Sequence, residues 1–179
     1  MPATLTPTTF AFIHVFNDSA KNPYFPHTVQ EALTKIDSNP VGRSLLQAIA
    51  GAAVTAGAGG FKVKIVRPDV VATVGTPGAE GGSRAVPFNE AGARGGGGSL
   101  AACYWNPNIY NTPSPAGARP AFIGLAHELI HCMHSVMGTM KSGYDEEEQF
   151  TVALGPYAAV AICENTIRAE HGVVQRTSY

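Results

Sequence analysis

The sequence predicts an α+β fold, on three observations. Short runs rich in branched and aromatic residues, TTFAFIHVF and FKVKIV, read as strands. Longer stretches with apolar residues three and four apart read as helices. With 179 residues and 45% hydrophobic content, the chain can bury one sizeable core and is read as a single domain over 1–179. The expected architecture is a small sheet of three strands packed beside a helical bundle.

Residues 1–7 are rich in Pro and Thr and read as a frayed lead-in. Residues 8–16 form the first strand, with His14 an ordinary strand residue. Residues 17–27, with Pro23 and Pro26, read as a loop. Thr28 caps a short helix, VQEALTKID, which stops at Ser38-Asn39-Pro40. A second helix over 41–56 places Leu45, Leu46 and Ile49 on one side and ends at Gly57, Gly59 and Gly60. Residues 61–66 alternate apolar and polar side chains, as a half-exposed strand does.

From 67 to 99 the composition shifts to Gly, Ala and Pro, ending in ARGGGGS. No G-K-[ST] follows and no long helix starts there, which argues against a phosphate loop. The segment reads instead as a mobile hairpin connection. Residues 100–105, LAACYW, form the strand returning beside FKVKIV, and a proline-rich loop over 107–120 leads into the next helix. After a turn at Lys141-Ser142-Gly143, residues 144–154 read as a helix with acidic residues in its first turn, favourable to its dipole. Gly155-Pro156 breaks it. A last helix spans 156–170, and Gly172 follows it.

The stretch over 121–138, AFIGLAHELIHCMHSVMG, carries the chemistry, because His127, Glu128 and His131 stand as H-E-x-x-H. At about 100° per residue, the two histidines fall about 40° apart on one helical face. Both imidazoles can then reach one metal ion. Glu128 lies on the same side, where a carboxylate can take a proton from water without being a ligand. Zinc suits the set, being tetrahedral and redox-silent, with an open fourth position. Pro120 at the start, Gly138 at the end and an apolar body of Phe122, Leu125, Leu129, Ile130 and Met133 support a helix, against the blander reading of two satisfied core histidines. His134 is placed behind the site or in packing, and Cys132 is read as a small buried hydrophobe.

A hydrolytic zinc needs a third protein ligand, which in the gluzincin pattern is a glutamate on the following helix. Glu146, Glu147, Glu148, Glu164 and Glu170 all lie downstream, and spacing alone does not choose between them. Glu164 sits in the run AAVAICENTIRAE and is expected to be partly buried, where it needs a partner such as the second N–H of a ligating histidine.

A net charge of −1 gives no basic field for nucleic acid and no polybasic segment for a membrane surface. Cys103, Cys132 and Cys163 are few and odd in number, so no disulfide framework is expected. No secretory leader or membrane-spanning run is read, and the chain is taken as a monomer.

HELIH, then EExxT at Glu147–Thr151, ENxxR at Glu164–Arg168 and RxxY at Arg176–Tyr179 resemble the NleD-like family of bacterial effector zinc metalloproteases. They resemble, more distantly, the clostridial neurotoxin light chains, although the interval from His131 to Glu148 is much shorter here. The resemblance implies a compact zincin-like (gluzincin) domain and zinc held by His127, His131 and Glu148. It makes Glu147 and Glu164 supporting carboxylates, and puts Arg176 and Tyr179 over the metal. It also implies a secreted effector, exported by a Sec-independent type III or similar route, that cuts a protein in the target-cell cytoplasm, host kinases included.

The sequence thus predicts a zinc metalloendopeptidase. Glu128 is its base, and Arg176 and Tyr179 stabilise the oxyanion. An apolar strand edge near Tyr104 and Trp105 would pair with an extended substrate segment. Two alternatives stand beside it: an interbacterial or polymorphic-toxin protease module, and a noncatalytic zinc-stabilised binding domain whose site is closed by His134 or Cys132.

Overall fold

The computed structural model describes residues 3–68, 83–108 and 119–178. Among these, five strands form one sheet: β1 (Thr4–Pro7), β2 (Ile13–Asn17), β3 (Val63–Val66), β4 (Arg84–Pro87) and β5 (Ala101–Tyr104), in the order β1-β2-β3-β5-β4. The inner pairs β2/β3 and β3/β5 are parallel, and the outer pairs β1/β2 and β4/β5 are antiparallel. Six helices accompany them: α1 (Phe25–Asp37), α2 (Pro40–Gly51), α3 (Glu90–Arg94), α4 (Ala121–Met137), α5 (Tyr144–Val152) and α6 (Glu164–Glu170). The α+β expectation holds, with a wider sheet than three strands.

Side chains alternate across each strand, so Ile13, Val15, Val63, Ile65, Ala101 and Cys103 share one face in register. That face joins one core with Leu33, Ile36, Leu45 and Ile49 of α1 and α2 and with Leu125 and Leu129 of α4. α4 is buried from Ile123 to Val136 on almost every side, the pattern of a central helix. Gly138 ends it in the left-handed region, with φ 74°. No described helix is long and apolar enough to cross a membrane.

Several boundaries differ from the sequence reading. The supposed lead-in contains β1, whose Pro7 is tolerated because the strand lies at the sheet's edge. β2 begins only at Ile13, because Thr8 Oγ1 donates to Ile13 O at 2.7 Å and closes a turn in which Phe12 has φ 64°. α1 starts at Phe25, since Pro26 fits a first turn where its missing N–H costs nothing. Thr28 is therefore inside the helix and donates to Tyr24 O. α2 stops at Gly51, short of residue 56. The last helix starts at Glu164 instead of 156: Gly155–Tyr157 is a separate 3-10 turn, and Cys163 and Thr166 cap a new helix reciprocally.

The glycine-rich stretch is corrected most. It contains β4 and α3, and β5 runs parallel to β3 instead of returning as a hairpin. The run Gly95–Gly98 lies against the end of α4. Gly96 N donates to Gly138 O at 3.0 Å and Ser99 N to Ser135 O at 2.9 Å. A Cβ at Gly98 would come within 2.4 Å of Val136 O, and one at Gly138 within 2.6 Å of the Gly96 backbone. Absent side chains let two backbones touch.

Candidate metal centre

Three helices converge on one buried cluster. α4 supplies His127 and His131 from one face, because four residues make slightly more than a turn. α5 supplies Glu147 and Glu148, adjacent and therefore about 100° apart around the helix axis. The start of α5 is fixed by Lys141 N, which donates to Glu147 Oε2 at 2.8 Å. α6 supplies Glu164 from its first position, fully buried.

The ring nitrogens divide the work. His127 Nδ1 lies 2.6 Å from Glu164 Oε2, and His131 Nδ1 lies 2.8 Å from Glu147 Oε1. Each Nδ1 therefore donates to a carboxylate, which leaves a lone pair on each Nε2. Those Nε2 atoms stand 3.1 Å apart. Glu148 faces both, with Oε2 3.1 Å from His127 Nε2 and Oε1 3.4 Å from His131 Nε2. Two lone pairs and a carboxylate aimed at one point repel each other unless a cation sits between them. The donor set of two imidazoles and one carboxylate fits Zn²⁺.

Without an ion, protons on the rings supply the positive charge that the site demands. Burial would raise the Glu148 carboxyl, but hydrogen bonds from His127 and His131 hold it far below the usual carboxylate range. Glu164 is held down likewise by His127 and by the charges of Arg119 and Arg168. Glu147, against its burial, is held at about 2 by His131 and His134. Burial works against the His131 imidazolium, yet Glu147 and Glu148 push its pKa up to about 10. Glu128 differs from its neighbours: burial raises its carboxyl, opposed by the His127, His131 and Arg119 charges.

His127, Glu128, His131, Glu147 and Glu148 all line one cavity of about 530 Å³. Arg176 is held elsewhere. Its backbone is bound by Asn165, and its Nη1 lies 3.5 Å from Glu164 Oε2, on the Nδ1 side of the His127 ring. It is not among the cavity-lining residues. Tyr179 lies outside the described residues.

The expected open edge near Tyr104 and Trp105 is corrected. β5 lies between β3 and β4, so its backbone is paired on both sides, and β4 forms the edge beside the cavity. Trp105 does border the cavity, but it is 1% exposed, and its Nε1 donates to Ala121 O at 3.1 Å. The Tyr104 ring lies under the Arg84 guanidinium, 5.1 Å away.

Sequence reasoning gave no role to three contributors, although two of them, Thr151 and Arg168, stand in the motifs quoted above. Arg168 is fully buried and pairs with Glu164; its place four residues further along the helix was the available signal. Thr151 Oγ1 lies 3.1 Å from His131 Nδ1. Arg119 borders the cavity at the start of α4, and nothing in the local pattern marks it. His134 does stand behind the site, its Nδ1 2.7 Å from the same Glu147 oxygen that His131 uses. Its ring stacks on Phe150 at 4.2 Å.

The fold is similar to that of the catalytic domain of Clostridium botulinum neurotoxin serotype F, with a TM-score of 0.57 and 18% identity over 86% of this chain and 48% of that one. The botulinum neurotoxin serotype HA light chain gives 0.54 and 15% identity, covering 79% of this chain and 52% of that one. A second serotype F light-chain structure from C. botulinum gives 0.51 and 19%, covering 68% and 37%. The chain spans about half of these structures or less. Among curated proteins none matches it. Residues 14–179 match the Peptidase M91 family, described as "Effector protein". With the match covering most of its length, the chain belongs to the Peptidase M91, or NleD-like, family of effector proteins.

Proposed function

We propose that this protein is a zinc-dependent endopeptidase of the gluzincin type, delivered as an effector into a target cell, where it cuts a specific protein. The observation that carries the reading is the pair of Nε2 atoms 3.1 Å apart, faced by Glu148 while both Nδ1 atoms are tied back to carboxylates. His127, His131 and Glu148 would hold the ion. Cys132 joins neither possible ligand set, and His134 groups with His131 and Glu147 instead of with Glu148, which favours an open position over a site closed by either residue.

Bound zinc would supply Lewis acidity at the scissile carbonyl and lower the pKa of water. Glu128 acts as the general base, and the same carboxyl then returns the proton to the leaving amine. Burial raises its carboxyl above the ordinary carboxylate range, which makes it a better proton acceptor. Glu164 and Glu147 orient the two rings and fix their tautomers, and Arg168 balances the Glu164 charge. Arg176 and Tyr179 are the proposed oxyanion donors. Arg176 must swing from Glu164 to fill that role. An extended substrate segment would lie along the β4 edge, the one that borders the cavity.

Glu128→Gln tests the reading. The variant should still bind one zinc per chain and lose proteolysis. Mapping new N-termini in target-cell lysate treated with each protein would reveal the substrate. Equal cleavage by both, or none by the zinc-loaded wild type in any lysate, would sink the assignment.

A further inference from the structure

The cavity is not evenly charged. Four of the chain's twelve Lys and Arg residues, Arg84, Arg94, Arg119 and Lys141, border it, although the whole chain has a net charge of −1. Three of them have occupations, Arg84 among them, since its guanidinium lies over the Tyr104 ring at 5.1 Å. Arg94 pairs with Glu90 and donates to Lys141 O, and the Lys141 ammonium lies over the Phe150 ring at 4.4 Å. The acids there are also engaged: Glu147 holds His131 and His134, and Glu148 faces the two Nε2 atoms.

Arg119 is placed differently. It stands just before α4 and folds back over the first turn of that helix. A Cβ at Gly124 would lie 3.0 Å from Arg119 Nη2 and 3.6 Å from its Cζ, so the guanidinium rests where only glycine leaves room. Gly124 lies four residues before Glu128 on the same helical face, about 6 Å along the axis. Gly124, His127, Glu128 and His131 together line the cavity floor. The Arg119 charge is felt at Glu128 and Glu164, yet no ion pair joins it to either.

Resting on the protease reading, we infer that Arg119, seated on Gly124, is a specificity-determining residue that takes an anionic side chain of the substrate next to the scissile bond, with Arg84 on the β4 rim adding to the field. The chemistry required is a carboxylate or phosphate that a planar guanidinium can grip with two N–H groups. The substrate class is therefore a protein segment with an acidic or phosphorylated residue beside the cut. With a divalent cation in place, positive charge outweighs negative along the cleft and draws such a segment in.

The test is a display selection of random decapeptides on zinc-loaded Glu128→Gln protein, repeated with Arg119→Ala and Gly124→Ala added in turn. The Glu128→Gln protein should enrich peptides with Asp or Glu at one fixed position. Arg119→Ala should abolish that enrichment. Gly124→Ala, which leaves the guanidinium in the chain but displaces it, should weaken it. Synthetic peptides of the selected sequence carrying Asp, Asn or phosphoserine at that position separate the two anion sources. The Asp or the phosphoserine form should bind about tenfold tighter than the Asn form, the worth of a charge-assisted hydrogen bond. Zinc stoichiometry and circular dichroism report whether each variant is folded. Enrichment without an acidic position, persistence of the preference in a folded Arg119→Ala protein, or no enrichment at all would overturn the inference. Glu128-dependent proteolysis with no acidic preference sinks this inference alone, whereas acidic selection without proteolysis sinks the protease reading and leaves Arg119 as an anion-binding residue with no scissile bond beside it.

Discussion

Arg168 and Glu164, four residues apart on α6, form an ion pair in which neither side chain is exposed to solvent. The same carboxylate uses its other oxygen to orient His127. The second Arg168 anchor is Val174 O, so the pair also ties the C-terminal tail to the site.

Arg168→Met should therefore do more than destabilise. Breaking a buried pair from one side costs about 3–5 kcal/mol, because the remaining charge is left uncompensated. Loosening a carboxylate that supports a metal-bound histidine lowers metal affinity by about 10–100-fold. Urea unfolding and competitive zinc titration should show both losses, and normal zinc affinity in the variant would refute the coupling.

His134→Phe separates packing from hydrogen bonding. The ring would still stack on Phe150, while Glu147 would lose one of its two imidazole partners and keep His131 and Lys141 N. Zinc affinity should fall by less than about tenfold, since the direct support of His131 remains. A larger loss would place His134 nearer the ion than its contacts indicate.

Chelation should make stability pH-dependent in a defined sense. The Glu147 carboxyl, held at about 2 against an ordinary 4.5, contributes stability that is complete above pH 4.5 and is lost as pH falls towards 2. The His131 imidazole, raised from 6.5 to about 10, contributes stability that is complete below pH 6.5 and is lost as pH rises towards 10. The two describe one hydrogen-bonded pair and are counted once. The chelated chain should be most stable between pH 4.5 and 6.5. Zinc requires neutral rings, so its affinity should rise with pH and the loaded chain should keep its melting temperature where the chelated chain is failing. Melting curves from pH 4 to 9 with and without a chelator check this.

Gly96 and Gly138 both have left-handed backbone, φ 81° and 74°, but only Gly138 is crowded. Gly96→Ala should cost about 1–2 kcal/mol from conformation alone. Gly138→Ala should cost clearly more, because its Cβ would meet the Gly96 backbone at 2.6 Å. Urea midpoints decide the order.

Trp105→Ala should behave as a core substitution, losing about 3–5 kcal/mol. The ring is buried against Phe25 and Ala121, so an effect on substrate choice with no loss of stability would contradict its placement.

What was legible in the sequence was whatever depends on local spacing. His127 and His131 share a face because helical geometry requires it, and the helix was bounded by Pro120 and Gly138. The choice among five downstream glutamates was not legible from spacing, because it depends on how α5 and α6 dock on α4. The family resemblance supplied it, and Glu147, Glu148 and Glu164 do stand at the two rings. β1 went unread because an edge strand of Thr and Pro carries no apolar alternation. The glycine run was misread for the opposite reason: its composition is that of a spacer, and only the partner backbone shows why side chains are missing.

That run has a practical side. A stretch reading ARGGGGS looks like a harmless place to attach a dye, an epitope tag or a fused reporter. Cargo placed there would be wedged into the joint between residues 95–98 and the far end of the helix that carries both imidazoles. Labels belong elsewhere on the surface.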